Sequence, residues 1–268
     1  MALDLAILSG AGALPPDLAR AYPDALYITF TGINHSLPGR TEDHSFEQLG
    51  KLFAVLKERG IRRVVMAGSM YRPALNPENF DAFMRQISPQ LVAALQLGDD
   101  GLLRFVIDLF ESHGFTVCGA HDLLPEMTAK AGILSQVVPQ SKHHEDIEKG
   151  RALLGLLSDA DIGQSTVFEN GLCLGIETLQ GTDALLRFVG QTPSHLRRGQ
   201  GGVLIKTPKS GQDLRVDMPA IGPDTIRAVQ AAGLAGLAID AGRVLLLEPE
   251  QTRALVAQFG LFLIAQEI

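Results

Sequence analysis

Short apolar runs alternate with amphipathic stretches from one end of the chain to the other, the rhythm of an α/β protein. Leu5–Leu8 predicts a first strand, followed by a glycine turn and a short helix beginning near Pro15. Ala25–Phe30 predicts a second strand. Phe46–Arg59 carries Leu49, Leu52, Phe53 and Leu56 on one side of a helix. Arg63–Ala67 reads as a strand ending in Gly68–Ser69, and helices are predicted at Pro89–Leu97 and Gly101–His113 before a strand at Thr116–Gly119. The first half is thus a small parallel sheet covered by helices.

Residues 121–142 break the rhythm with Pro125, Gly132 and Pro139, which predicts a crossover between domains. A polar helix follows at His143–Leu157. Thr166–Phe168 and Leu172–Thr178 face each other across Asn170-Gly171, a strong hairpin signal. Beyond it the pattern predicts a helix at Thr182–Val189, strands at Val203–Lys206 and Leu214–Asp217, and a helix from Pro223. Strands at Gly236–Ile239, Val244–Leu247 and Leu261–Ala265 complete the chain, with a helix at Glu248–Gln258. The expected architecture is two α/β domains: an N-terminal Rossmann-like parallel sheet over 1–130 and a mixed α/β catalytic domain over 143–268. Residues 131–142 join them.

The 268 residues suffice for a substantial core without metal or disulfide staples. Lys and Arg number 23 against 30 Asp and Glu, so the net charge of −7 argues against a general nucleic-acid or polybasic membrane binder. Absent Trp and scarce aromatics advertise no base-stacking platform. Cys118 and Cys173 stand in apolar runs and read as buried free thiols in a reducing compartment. No apolar run reaches spanning length, and the N-terminus lacks a basic leader, so a soluble cytoplasmic protein is expected.

Candidate chemistry collects at a few turns. Ser9-Gly10-Ala11-Gly12 follows the first strand and opens a helix, where backbone N–H groups can approach a phosphate. The full dinucleotide fingerprint is missing, and an ordinary tight turn explains the motif equally well. Asp99 and Asp100 in Gly98-Asp99-Asp100-Gly101, and Thr182 with Asp183 after Gly181, both fit helix capping. Glu177 is close enough in sequence to share a site with Thr182 and Asp183. His143-His144 reads as a solvated face, whereas His121 falls at a predicted strand end, where open α/β sheets gather ligands. No HxH, HExxH, CxxC, GxSxG or P-loop pattern is present.

The richest stretch is Lys206–Gly222, KTPKSGQDLRVDMPAIG. With Arg197, Arg198 and Arg227, its Lys206, Lys209 and Arg215 form the main basic enrichment of an acidic chain. Cations neutralise a phosphate or diphosphate, and a carboxylate such as Asp217 can hold Mg²⁺ or position water. A surface loop with solvated lysines is the ordinary alternative.

SGAGALP, AGSMYRP, GDDGLLR, GAHDLLPEMT, DIGQSTVFENGLCLGIETLQGTDALLR and KTPKSGQDLRVDMPAIG occur in an order and spacing that resemble the UDP-2,3-diacylglucosamine pyrophosphatases of lipid A synthesis. The resemblance is to the two-domain α/β kind, distinct from calcineurin-like phosphoesterases. It implies hydrolysis of UDP-2,3-diacylglucosamine to 2,3-diacylglucosamine 1-phosphate (lipid X) and UMP, by Mg²⁺-dependent water attack on the α-phosphorus. It further implies a ligand cleft between the domains and turnover that depends on Asp217, acting on water directly or through Mg²⁺. Lys206 or Lys209 would stabilise phosphate charge. Gly10, Ala11, Gly12, Gly68, Ser69, Asp99, His121, Gln164, Thr182, Asp183, Arg215 and Ile221 are the expected substrate contacts, and apolar side chains would take the acyl chains. The lipid substrate implies peripheral contact with the inner face of the inner membrane, and a homodimer is a further expectation. Ser69, Gln180 and Ala220 depart from the family's Asn, Glu and Thr. The competing readings are a non-catalytic nucleotide-sugar or lipid-binding protein and a sugar-nucleotide transferase.

Overall fold

The computed structural model describes residues 4–71, 74–197 and 201–267. Arg198, and Arg72 and Pro73 of the AGSMYRP motif, lie outside the described residues. The chain forms two compact units, Met1–Pro125 with Arg215–Asp217, and Glu126–Leu214 with Met218–Ile268. Asp217 therefore folds with the first unit, although its place in the sequence put it in the second domain.

In the first unit β1 (Leu5–Ser9), α1 (Leu14–Ala21), β2 (Leu26–Phe30), β3 (Glu42–His44), α2 (Leu49–Glu58) and β4 (Arg63–Ala67) precede a long helical pair. That pair is α3 (Ala82–Gln96) and α4 (Gly98–Ser112), followed by β5 (Thr116–Cys118) and α5 (Ala120–Leu123). The strands lie in the order β3-β2-β1-β4-β5 and every neighbouring pair is parallel. A strand buried on both faces needs apolar side chains throughout, which is why LAILS and RVVMA read so clearly. β3 carries Glu-Asp-His and was not predicted. It pairs only through one edge, so backbone hydrogen bonds suffice to hold it without an apolar run.

Helix α3 begins seven residues before the predicted start at Pro89, which sits inside it. The Asp81 side chain accepts from the Met84 N–H at 2.8 Å, a cap that the proline signal concealed. Phe53 anchors the helical layer. Its ring meets Phe83 and Phe110 edge-on at 5.4 and 5.0 Å and stacks on His113 at 4.4 Å.

The second unit runs β6 (Gly132–Ile133), α6 (Ser141–Ser158), β7 (Ser165–Glu169), β8 (Leu172–Ile176), α7 (Gly181–Gly190) and β9 (Val203–Lys206). It continues through β10 (Ala220–Ile221), α8 (Pro223–Ala231), β11 (Gly236–Asp240), β12 (Leu245–Leu246), α9 (Pro249–Gln258) and β13 (Phe262–Gln266). Its main sheet has the order β6-β13-β11-β9-β7-β8. β9, β11 and β13 are parallel, while β6, β7 and β8 pair antiparallel to their neighbours. This is the expected mixed α/β arrangement. The predicted crossover at 131–142 instead supplies an edge strand, β6, and the first turn of α6.

The Asn170-Gly171 hairpin forms as predicted, with both residues at positive φ, 48° and 80°. Asp146 of α6, 1% exposed, clamps that turn: its two carboxylate oxygens accept from the N–H groups of Asn170 at 2.8 Å and Gly171 at 2.6 Å. The predicted strand at Leu214–Asp217 does not form. Leu214–Val216 is a turn, and Val216 packs against the core of the first unit. Arg197, expected among phosphate-seeking cations, is a structural residue. Its guanidinium bonds Glu169 Oε2 at 2.5 and 3.0 Å and the carbonyls of Ala232 and Gly233. Cys173 is exposed rather than buried, because β8 is the edge strand of the sheet.

His143 also corrects the sequence reading, since only 6% of it is exposed. Its Nδ1 accepts from the Gln140 N–H at 3.1 Å and its ring stacks on Phe262 at 5.0 Å. Burial, then Lys142, holds its pKa below the ordinary 6.5. A depressed folded-state value means the unfolded chain binds the proton more readily. The contribution is therefore complete above about 6.5 and is lost as pH falls below that. His143→Gln is expected to lose less melting temperature than the parent between pH 7 and pH 5, a comparison that thermal unfolding at several pH values checks.

Candidate active site

In the first unit the strand order reverses between β1 and β4, the point at which open α/β sheets bind ligands beyond their carboxyl ends. The turns after these strands are zipped together. Ala11 N–H donates to Ser69 O at 3.0 Å, Ser69 N–H donates to Ala11 O at 2.8 Å, and Gly10 N–H donates to Ala67 O at 2.8 Å. Gly12 N–H points at Ser36 Oγ, 3.3 Å away. These amides already have acceptors, so the glycines are explained by close approach rather than by an open phosphate cradle. A Cβ on Gly10 would stand 2.3 Å from Ser69 O, and one on Gly68 would stand 2.5 Å from Ala11 O.

His121 does lie just beyond β5, in α5, and its Nδ1 is buried without a hydrogen-bond partner. Its Nε2 is 3.6 Å from Asp122 Oδ1, and Gly119 N–H donates to Asp122 Oδ2 at 2.9 Å. Asp99 sits in the first turn of α4, but that helix has no side-chain cap; Asp100 instead pairs with Arg104 at 3.0 Å. Arg215 anchors the Asp217 segment by bonding Glu111 of α4 at 2.6 Å.

The second unit brings more of the predicted residues together. In register, Ser165 at the start of β7 faces Lys206 at the end of β9, and Ile239 of β11 flanks Lys206 on the other side. Two successive antiparallel pairings make β8 run the same way as β9, so Glu177 emerges at this same edge. Thr182, in the first turn of α7, is the hub. Its hydroxyl lies 2.7 Å from Lys206 Nζ, 2.7 Å from Glu177 Oε2 and 3.3 Å from Ser165 Oγ. The predicted capping by this threonine is absent, and α7 starts without a side-chain cap. Gln164 precedes β7, with its Oε1 buried and unpartnered and its carbonyl accepting from Thr207 N–H at 3.0 Å.

The other expected residues are placed elsewhere. Asp183 is exposed on α7. Ile221 is fully buried in the core of the second unit. Lys209 bonds Asp161, and its backbone N–H donates to Gln212 Oε1 at 2.8 Å.

Two further residues escaped the sequence reading, one at this sheet edge and one on α6. Asp240, at the end of β11, accepts from Arg151 of α6 at 2.5 Å. Burial pushes its carboxyl above the ordinary carboxylate range, against the pull of Arg151. A lone acid at the end of an apolar strand, GLAID, was the available signal. Among the described residues no three His, Cys, Asp or Glu side chains converge in a way that could hold a metal ion. Mg²⁺ commonly binds through one or two carboxylates plus substrate phosphates, so it needs no such cluster. No described helix is long and apolar enough to cross a membrane.

Comparison with known proteins accounts for nearly the whole chain. Residues 4–127 match the LpxI N-terminal domain and residues 130–264 the LpxI C-terminal domain. The chain is also 38% identical over 271 residues to the UDP-2,3-diacylglucosamine pyrophosphatase LpxI of Caulobacter vibrioides, covering 97% of this chain and 96% of that protein. With both domain families matched in order and a relative of this identity along its full length, the chain belongs to the LpxI family.

Proposed function

We propose that this protein hydrolyses UDP-2,3-diacylglucosamine to 2,3-diacylglucosamine 1-phosphate and UMP, a step of lipid A biosynthesis. The observation that carries the reading is family membership along both units. Water oxygen bonds to the α-phosphorus as the bridging oxygen leaves with the acyl-sugar phosphate, and UMP keeps the new oxygen. Asp217 orients that water and takes its proton, and Lys206 stabilises the charge growing on the phosphate oxygens. Mg²⁺, bound by Asp217 together with the diphosphate, would neutralise further charge on those oxygens. An apolar strip beside the polar hub suits an amphiphilic substrate: Phe188, 64% exposed, lines a pocket with Ile176 and Leu185, and Leu179 in the segment before α7 is 95% exposed. The same strip and the lipid substrate support peripheral contact with the membrane surface.

Incubating the protein with the UDP-lipid, with and without Mg²⁺, is expected to yield UMP and the 1-phosphate, faster with the metal. In ¹⁸O-labelled water the label enters UMP. Binding without products, or a nucleotide conjugate in place of UMP, would overturn the reading.

A further inference from the structure

The hydroxyl of Thr182 meets three polar groups, and the valence of each fixes the direction of the bonds. Lys206 Nζ can only donate, so Thr182 Oγ1 accepts from it at 2.7 Å. An ionised Glu177 can only accept, so the single hydrogen of Thr182 goes to Oε2, also at 2.7 Å. Ser165 Oγ, at 3.3 Å, is left to donate into the second lone pair of Thr182. One proton given and two accepted saturate the hydroxyl.

We infer that Glu177 is a positioning residue for Lys206, acting through Thr182, and that Thr182 serves this relay rather than touching the substrate. The chain of bonds runs from carboxylate to hydroxyl to ammonium. Without an acceptor at position 177, the Thr182 hydrogen would be free to turn toward Lys206 and displace the lone pair that the ammonium uses. The relay is well placed to be rigid. Lys206 is only 9% exposed, Ser165 is fully buried, and Glu177 N–H donates to Ser165 O at 2.8 Å. Glu177 and Thr182 also approach from different elements, the end of β8 and the start of α7. The lysine is thereby fixed against two independent parts of the fold, as a group that must meet developing phosphate charge requires.

This inference rests on the proposed hydrolysis for its kinetic consequence, but not for its structural one, and the test separates them. Glu177→Leu and Thr182→Val are each expected to lower kcat by roughly ten- to a hundred-fold, with KM within about threefold. Thr182→Ser keeps the hydroxyl and restores kcat to near the parent value. The two damaging changes combined do no more harm than either alone, since both cut one chain. In ¹⁵N-labelled protein, the Lys206 ammonium resonance is expected to be slowly exchanging in the parent and in Thr182→Ser, and broadened in Glu177→Leu. An unchanged ammonium resonance in folded Glu177→Leu would overturn the inference, as would additive effects of the two substitutions. Should the parent fail to release UMP while that resonance still depends on Glu177, the reaction assignment falls and the positioning role stands.

Discussion

Asp217→Ala is expected to lower the rate of UMP release by at least ~10²-fold, the scale of losing a positioned proton acceptor, while the melting temperature stays within a few degrees of the parent. The separation is expected because other groups hold the segment. Arg215 reaches Glu111 at 2.6 Å and Val216 inserts among the apolar side chains of the first unit, so the backbone at 217 keeps two anchors when the carboxylate is removed. Asp217→Asn should behave like the alanine variant, because an amide fills the space but cannot take a proton from water. Release of UMP at near the parent rate by either folded variant would remove Asp217 from the mechanism.

The largest loss of stability is expected from Asp146→Ala. A buried carboxylate that accepts two backbone N–H groups cannot be deleted cheaply. Both donors of the Asn170-Gly171 turn lose this acceptor; a fully buried donor without one costs about 1–3 kcal/mol, and these half-buried ones fall in the lower half of that range. A total near 3 kcal/mol corresponds to roughly 6–12 °C in melting temperature for a unit of this size. Asp146→Asn keeps one acceptor oxygen and is expected to lose about half as much. Thermal unfolding of the two variants checks the order, and equal melting temperatures for all three proteins would show that the hairpin stands without the clamp.

Much of the fold was legible because its strands bury both faces. LAILS, RVVMA, VLIK and GLAID leave little room for another assignment, and Asn170-Gly171 announced its hairpin through two residues that tolerate positive φ. What failed was polar or ambiguous. The Glu-Asp-His strand pairs at an edge and needs no apolar run. The alternation in Leu214–Asp217 imitated a strand, although its residues serve as a turn with Val216 as an anchor. Pro89 looked like a helix start because the Asp81 cap lies well upstream.

The site was legible in a different way. Family motifs pointed to Lys206, Thr182 and Gln164, but only the strand register brings Ser165 and Glu177 to the same edge. The residues that one-dimensional reasoning treated as caps divide once side chains are placed: Asp100 pairs with Arg104, Asp183 is exposed, and Thr182 joins a relay with Glu177. Arginines divide likewise, since Arg197 satisfies a buried Glu169 and backbone carbonyls inside the fold.

The assignment of Arg215–Asp217 to the first unit has a consequence in time. The rest of that unit ends at Pro125, so about ninety more residues must be synthesised before its Asp217 exists. At a translation rate of roughly 5–20 residues per second, the nascent first unit spends ~5–20 s without that carboxylate. The acid that the proposed reaction depends on is thus a late arrival to the unit that it joins.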